Sequence, residues 1–242
     1  MARLDGKICL VAGGTGTVGE EIVKAFVEAG ATVVVPSRTR QKLDGLGAFL
    51  DLSPGASERL SLLEGRLDDP VDAERLRDEV LRRHGTLHAV VASLGGTWEE
   101  QLPLVEVPME TFRSYQNSNL NTHLITARTF LPLLARHHAT SYTLLGGVSA
   151  VRTVERYSPV SINSAAQLMM AKILMEEMKD APVRINQVIF GYINTRARAA
   201  YAKPEWVTAR EVGDFVAYLA SNEARMISGS ILQFGDRPPP VA

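Results

Sequence analysis

Three glycines spaced three apart, Gly13, Gly16 and Gly19, are the residues whose spacing most directly permits chemistry. They lie in Ala12-Gly13-Gly14-Thr15-Gly16-Thr17-Val18-Gly19, after the apolar run Ile8-Cys9-Leu10-Val11 and before a helical pattern. In that context glycines allow a tight turn, close approach of backbone to a pyrophosphate, and close helix–strand packing. The helix that follows aims its first N–H groups at the phosphate. The loop, Thr15, Thr17 and Val18 included, is therefore expected to hold a dinucleotide.

A second cluster follows the next apolar run, as Pro36-Ser37-Arg38-Thr39-Arg40. A site for an unphosphorylated ribose usually places a carboxylate here to accept from the 2′-OH, but no acidic residue occurs between Ala31 and Gln41. Arg38, with the hydroxyls of Ser37 and Thr39, suits a 2′-phosphate instead. NADP(H) is favoured over NAD(H), with Arg38 as the main contact.

The elements that must position these residues alternate along the chain. Strand patterns are expected at Lys7–Val11, Ala31–Val35, Leu60–Leu63, Leu87–Ala92, Ser141–Leu145, Val183–Ile189 and Ile231–Phe234. Between them run helical patterns: Glu20–Ala29, Gln41–Leu50, one opened by Asp69-Pro70, Met109–His137 with a break near Asn117–Asn121, and Ala165–Met178. A capping box, Thr208-Ala-Arg-Glu211, starts a last helix that ends near Ala220, and Pro238-Pro239-Pro240 stops the chain. Strands that are apolar throughout, alternating with helices, imply a parallel sheet covered on both faces. The fold class is α/β, a Rossmann-like doubly wound sheet of about seven strands in a three-layer α/β/α domain spanning residues 1–242. Ligands of such sheets bind beyond the carboxyl ends of the strands, where the strand order reverses.

Composition excludes other classes. With 26 basic and 27 acidic residues among 242, the net charge of −1 gives no reason to expect a nucleic-acid or membrane partner. Twenty of the 26 cations are Arg, so an Arg near a cleft is weak evidence for a site. The one cysteine, Cys9, sits in an apolar run and reads as a buried core residue. No Cys/His cluster has metal-ligand spacing, and no apolar stretch approaches the ~20 residues that span a bilayer. The chain is expected to be soluble and cytoplasmic, with no metal and with an unspecified small-molecule substrate.

Further stretches extend the pattern. Leu4-Asp5-Gly6-Lys7 leads into the glycine loop, and Pro132 follows Asn119-Leu120 at a fixed distance. Later come Val183-Arg184-Ile185-Asn186, Gly191-Tyr192-Ile193-Asn194-Thr195, and Ala217-Tyr218-Leu219-Ala220-Ser221 before Ile227-Ser228-Gly229. On these residues the chain resembles the short-chain dehydrogenase/reductase family over nearly its whole length. The resemblance implies an NADP-dependent oxidoreductase, and cofactor contacts from Leu67, Ala92, Ser93, Leu94, Gly95, Asn119, Gly191, Ile193 and Thr195. It also implies a homodimer or homotetramer built on the helices Asn119–Leu134 and Ala165–Met178.

The catalytic half departs from that family. Its members pair a Tyr with a Lys four residues later; Val160 and Ser164 stand at those positions here, and the upstream Ser falls at Gly147, or at Ser149 if the loop slips. None of the six tyrosines has a Lys four residues on. Of the usual four residues only Asn119 remains. Arg66 stands where the family often carries an Asp. The remaining candidates are Ser149 as a substrate contact and Tyr157 as a relocated proton donor, beside His123 as a hydrogen-bonded helix residue. Arg152, Arg156, Arg196 and Arg198 are candidates for the cleft rim. Two further readings stay open, a non-catalytic NADP(H)-binding subunit or sensor and a lyase or isomerase that reuses the cleft.

Overall fold

A computed structural model describes residues 3–234; the final proline run lies outside them. Seven strands form one parallel sheet: β1 (Ile8–Ala12), β2 (Thr32–Ser37), β3 (Leu60–Glu64), β4 (Ala89–Ala92), β5 (Thr140–Gly147), β6 (Val183–Phe190) and, last in the chain, β9 (Ser230–Phe234). Their order is β3-β2-β1-β4-β5-β6-β9, and every neighbouring pair is parallel. A separate two-residue pairing joins β7 (Ile193–Asn194) to β8 (Val207–Thr208).

Side chains alternate across each strand, so one strand feeds two cores. Cys9 and Val11 of β1 face one side, among Ile22, Val23, Phe26 and Val27 of helix α1 (Gly19–Glu28). Leu43 and Leu46 of α2 (Arg40–Leu50) and Val212 and Val216 of α8 (Ala209–Ala220) complete that layer. Leu10 and Ala12 face the other side, against α4 (Pro70–His84), α6 (Thr122–Leu134) and α7 (Ser158–Glu177) through Leu76, Val80, Phe130, Leu134 and Ala171. The result is the expected Rossmann-like three-layer α/β/α arrangement. Cys9 is fully buried, and burial pushes its thiol up to about 12, as a core residue requires.

Local signals act where expected. Asp69 caps α4 by accepting from the Asp72 N–H at 2.9 Å, ahead of Pro70 in the first turn. Thr208 and Glu211 form the reciprocal capping box. Two boundaries differ from the sequence reading. Helix α7 begins at Ser158, seven residues before Ala165, because Pro159 sits in its first turn, where a missing N–H costs nothing. The break expected at Asn117–Asn121 is instead a wide π turn joining α5 (Met109–Gln116) to α6, and the backbone stays helical at Asn117 and Thr122. A short helix, α3 (Pro54–Ser57), was not anticipated.

Behind the last turn of α8, the Arg184 guanidinium donates to the carbonyls of Leu219, Ser221 and Ala224 at 2.8–3.1 Å. Arg184→Met is expected to lower stability by roughly 2–3 kcal/mol, since three partly buried acceptors lose a charged donor. An unchanged urea midpoint would refute this role.

Candidate functional site

The sheet order reverses between β1 and β4, and two cavities open beyond the carboxyl ends of the strands there. They share Gly16, Ser93, Leu94, Gly95 and Gly96, so together they form one continuous trough. One end lies against β2 and the other against β5 and α7.

At the β2 end a cavity of about 200 Å³ is lined by Gly13, Thr15, Gly16, Ser37, Arg38 and Leu67, as expected. Gly13 must be glycine: its φ is +81°, and a Cβ would stand 2.0 Å from the Ser93 carbonyl oxygen. The glycine turn therefore packs directly against the strand-end loop. Thr15 Oγ1 and Ser37 Oγ lie 3.4 Å apart.

Two neighbours were missed. Lys42, in the first turns of α2, lines the cavity beside Arg38, whereas Arg40 turns away to Asp44 at 2.9 Å. A cation three residues beyond Thr39 was the available signal. Asp68 is the carboxylate of this cavity, 3.8 Å from Arg38. Arg66, which replaces the family's usual Asp, does not line the cavity; it donates twice to Asp68, at 2.9 and 3.1 Å. The pairs around Asp68 leave the cluster cationic overall, with Arg38 and Lys42 facing the trough. The residues present fit a dinucleotide, with backbone free of side chains at the glycine turn for a pyrophosphate and Arg38, Lys42 and Asp68 beyond it.

At the β5 end a cavity of 470 Å³ takes in Thr17, Val18, Gly19, Asn119, Ser149 and Ile193. Val160 and Ser164, one turn apart on α7, both line it. Ser149 Oγ donates to Ser164 Oγ at 3.1 Å, which makes Ser149 rather than Gly147 the serine hydroxyl that meets α7. Asn163, Gln167 and His123 also line the cavity, and of these only His123 had been considered. As expected it is a hydrogen-bonded helix residue, with Nε2 3.3 Å from the Leu94 carbonyl. Burial holds the His123 imidazole down at about 4, against the raising effect of that bond.

Asn119 is fully engaged. Its Oδ1 accepts from the Gly96 N–H at 3.1 Å, and its Nδ2 donates to the Tyr115 carbonyl and to Ser118 Oγ. The π turn thus ties the Gly95–Gly96 loop to α5, and the Asn119 side chain acts as a positioning group.

Several sequence expectations fall outside the lining. Tyr157 stands just before α7, where the backbone is no longer helical, and its hydroxyl lies 3.4 Å from Gln101 Nε2. Thr39 is exposed at the N-cap of α2, and Ala92 is sealed inside β4. Thr195 is buried, and its carbonyl accepts from the Arg198 N–H. Gly191, Arg152, Arg156, Arg196 and Arg198 do not border either cavity. Arg196 instead reaches back to α1 and pairs with the buried carboxylate of Glu20 at 2.6 and 3.1 Å. That pair pins the segment after β6 to the helix that carries the phosphate loop. Among the described residues no cluster of His, Cys, Asp or Glu is arranged to hold a metal ion, and no helix is long and apolar enough to cross a membrane.

Comparison with known proteins agrees with this geometry. Residues 13–235 match the family model described as enoyl-(acyl carrier protein) reductase. The chain is 23% identical over 247 residues to 3-oxoacyl-[acyl-carrier-protein] reductase FabG of Thermotoga maritima, covering 95% of this chain and 96% of the relative. It is 26% identical to dehydrogenase/reductase SDR family member 4 of Bos taurus, covering 95% and 87%. In structure it superimposes on a short-chain type dehydrogenase/reductase from Mycobacterium ulcerans with a TM-score of 0.88 and 22% identity, over 98% of this chain and 92% of that one. A second neighbour, from Brucella melitensis, gives 0.83 and 22%, over 96% of each. The trough at the switch point, the parallel sheet that builds it and the match across the chain have one explanation: this protein belongs to the short-chain dehydrogenase/reductase family of oxidoreductases.

Proposed function

We propose that this protein is an NADP(H)-dependent oxidoreductase of one domain, acting in the cytoplasm on an uncharged carbonyl or alcohol, in which Val160 and Ser164 have replaced the proton-handling pair. The observation that carries the cofactor assignment is the placement of Arg38 and Lys42 together at the end of the glycine cradle. The nicotinamide supplies or accepts the hydride when bound. The chain's own residues do the rest. The glycine turn and α1 hold the pyrophosphate, and Arg38, Lys42 and Ser37 hold the 2′-phosphate. The Ser149–Ser164 hydroxyl pair orients the substrate oxygen and relays a proton between that oxygen and solvent, from solvent in reduction and to solvent in oxidation. With neutral hydroxyls in place of a tuned acid, turnover is slow compared with a tyrosine–lysine site.

Arg38→Ala is expected to weaken NADP⁺ binding roughly 10- to 100-fold, the worth of one charge-assisted contact, and to leave NAD⁺ unchanged. Calorimetry on both cofactors checks this. Equal affinity of the parent for NAD⁺ and NADP⁺ would sink the assignment.

Self-association is proposed on the outer face of α6 and α7, where Leu124, Ile162, Met169 and Ile173 are all exposed. Such an apolar stripe across two neighbouring helices suits a second copy of the chain. Sedimentation should show a dimer or tetramer, and Met169→Glu should shift it toward monomer.

A further inference from the structure

The residue that follows the glycine turn is an acid, and it is buried. Glu20 comes directly after Thr17, Val18 and Gly19, which line the trough, and stands in the first turn of α1, only 2% exposed. Helix α8 closes over that turn: a Cβ on Gly213 would stand 2.7 Å from the Glu21 carbonyl oxygen. An acidic side chain suits a helix N-terminus, where unpaired N–H groups and the macrodipole present positive charge. A diphosphate on the glycine turn would draw on the same positive end. Two anions would then share it, one of them walled off from water, and like charges repel most where solvent is excluded.

Arg196 removes that conflict. Its Nε donates to Glu20 Oε1 at 2.6 Å and its Nη2 to Oε2 at 3.1 Å, so both carboxylate oxygens are held by one guanidinium. Among the described residues no other cation pairs with Glu20; Lys24, one turn further along α1, lies over the Phe49 ring at 6.0 Å. The Arg196 guanidinium lies over the same ring at 5.5 Å, yet its side chain is 64% exposed. The anion is thus sealed in the fold while its cation reaches in from the surface. That cation belongs to the segment after β7, three residues beyond Ile193, which lines the trough.

We infer that Arg196 is a positioning residue for cofactor binding: by cancelling the buried Glu20 carboxylate it lets the start of α1 accept a diphosphate. The inference deepens the function proposed above and rests on its reading of the glycine turn as the diphosphate site. It also links two parts of the trough. Whatever the bound diphosphate gains from Arg196 in place, the seating of the segment after β7 gains from the bound diphosphate.

A purely mechanical pin makes a different forecast. If the pair only held the segment down, loss of either partner would be equivalent, and loss of both no better than loss of one. If it cancels charge, the partners are unequal. Calorimetry with NADP⁺ and NADPH on the parent, Arg196→Met, Glu20→Gln and the double variant separates the two. Methionine keeps an apolar stem beside Phe49 and removes the charge. Arg196→Met is expected to weaken NADP⁺ binding roughly tenfold or more, by leaving a bare like charge near the diphosphate. Glu20→Gln should bind at least as tightly as the parent, and the double variant should return close to it. At an ionic strength of about 1 M, where the screening length is about 3 Å, the deficit of Arg196→Met relative to the parent should shrink. If Arg196→Met does not fold, Glu20→Gln and Arg196→Lys carry the test, the lysine keeping the charge and most of the affinity. Equal losses in the two single variants, a double variant that binds no tighter than Arg196→Met, an Arg196→Met protein that binds like the parent, or a weakened Glu20→Gln protein would each overturn the inference and leave the cofactor reading standing. A parent that binds neither NADP⁺ nor NADPH would overturn the cofactor reading and this inference with it.

Discussion

The double variant V160Y/S164K is expected to reduce a simple ketone with NADPH roughly 10²- to 10⁴-fold faster than the parent, the usual contribution of a positioned acid–base group. Residues 160 and 164 are one turn apart on α7 and line the same cavity, so the new side chains would lie side by side. Neither single change should suffice. A tyrosine alone keeps a pKa near ~10 and is a poor acid–base group at neutral pH, and a lysine alone lowers the pKa of nothing that faces the substrate. The gain should therefore exceed the product of the single effects. Lysine at 164 also removes the acceptor of Ser149 Oγ, which frees that hydroxyl to hold a carbonyl oxygen. Stopped-flow NADPH oxidation with all four proteins reads the result. A double variant that binds NADPH and turns over no faster than the parent would refute the placement of these two positions.

Gly13→Ala is expected to abolish detectable NADP⁺ binding and to destabilise the fold by about 2–5 kcal/mol. A left-handed residue with a Cβ costs about 1–2 kcal/mol, and forcing an atom into packed backbone costs about 1–3 more. Here the obstacle is the Ser93 carbonyl, 2.0 Å from the new atom, and backbone cannot rotate aside as a side chain can. Either the phosphate turn or the β4 loop must move, and both line the trough. Gly16→Ala serves as the contrast. Its Cβ would meet one atom only, the Gly13 carbonyl oxygen at 3.3 Å, so it should fold nearly normally while crowding the cavity. Calorimetry and urea melts separate the two outcomes. A Gly13→Ala protein as stable as the Gly16→Ala protein would refute this account of the turn.

The legible parts of the site share a property: each depends on residues adjacent in the chain. The glycine loop, Ser37 with Arg38, the cap at Asp69 and the box at Thr208 and Glu211 are local arrangements of a few residues. The helix start at Ser158 was also local, but Pro159 as its marker went unread. Lys42 was hidden by Arg40, which is nearer the loop in sequence but turned outward by Asp44. Tyr157 shows the reverse error: close in sequence to Val160, it lies outside the cavity because it precedes the helix.

By itself the sequence determined the alternation of strands and helices, the glycine turn after β1, the cation after β2, and the lack of a lysine four residues after any tyrosine, because backbone propensity, glycine spacing and residue identity need no partner. Only the tertiary structure decided that Ser149 meets Ser164 and that Glu20 holds Arg196. It alone brought His123, Asn163 and Gln167 into one uncharged wall. Those groups come from α1, α6, α7 and the segments after β5 and β6, and the parallel crossovers of the sheet bring them within hydrogen-bond reach. No local pattern records which of them will meet.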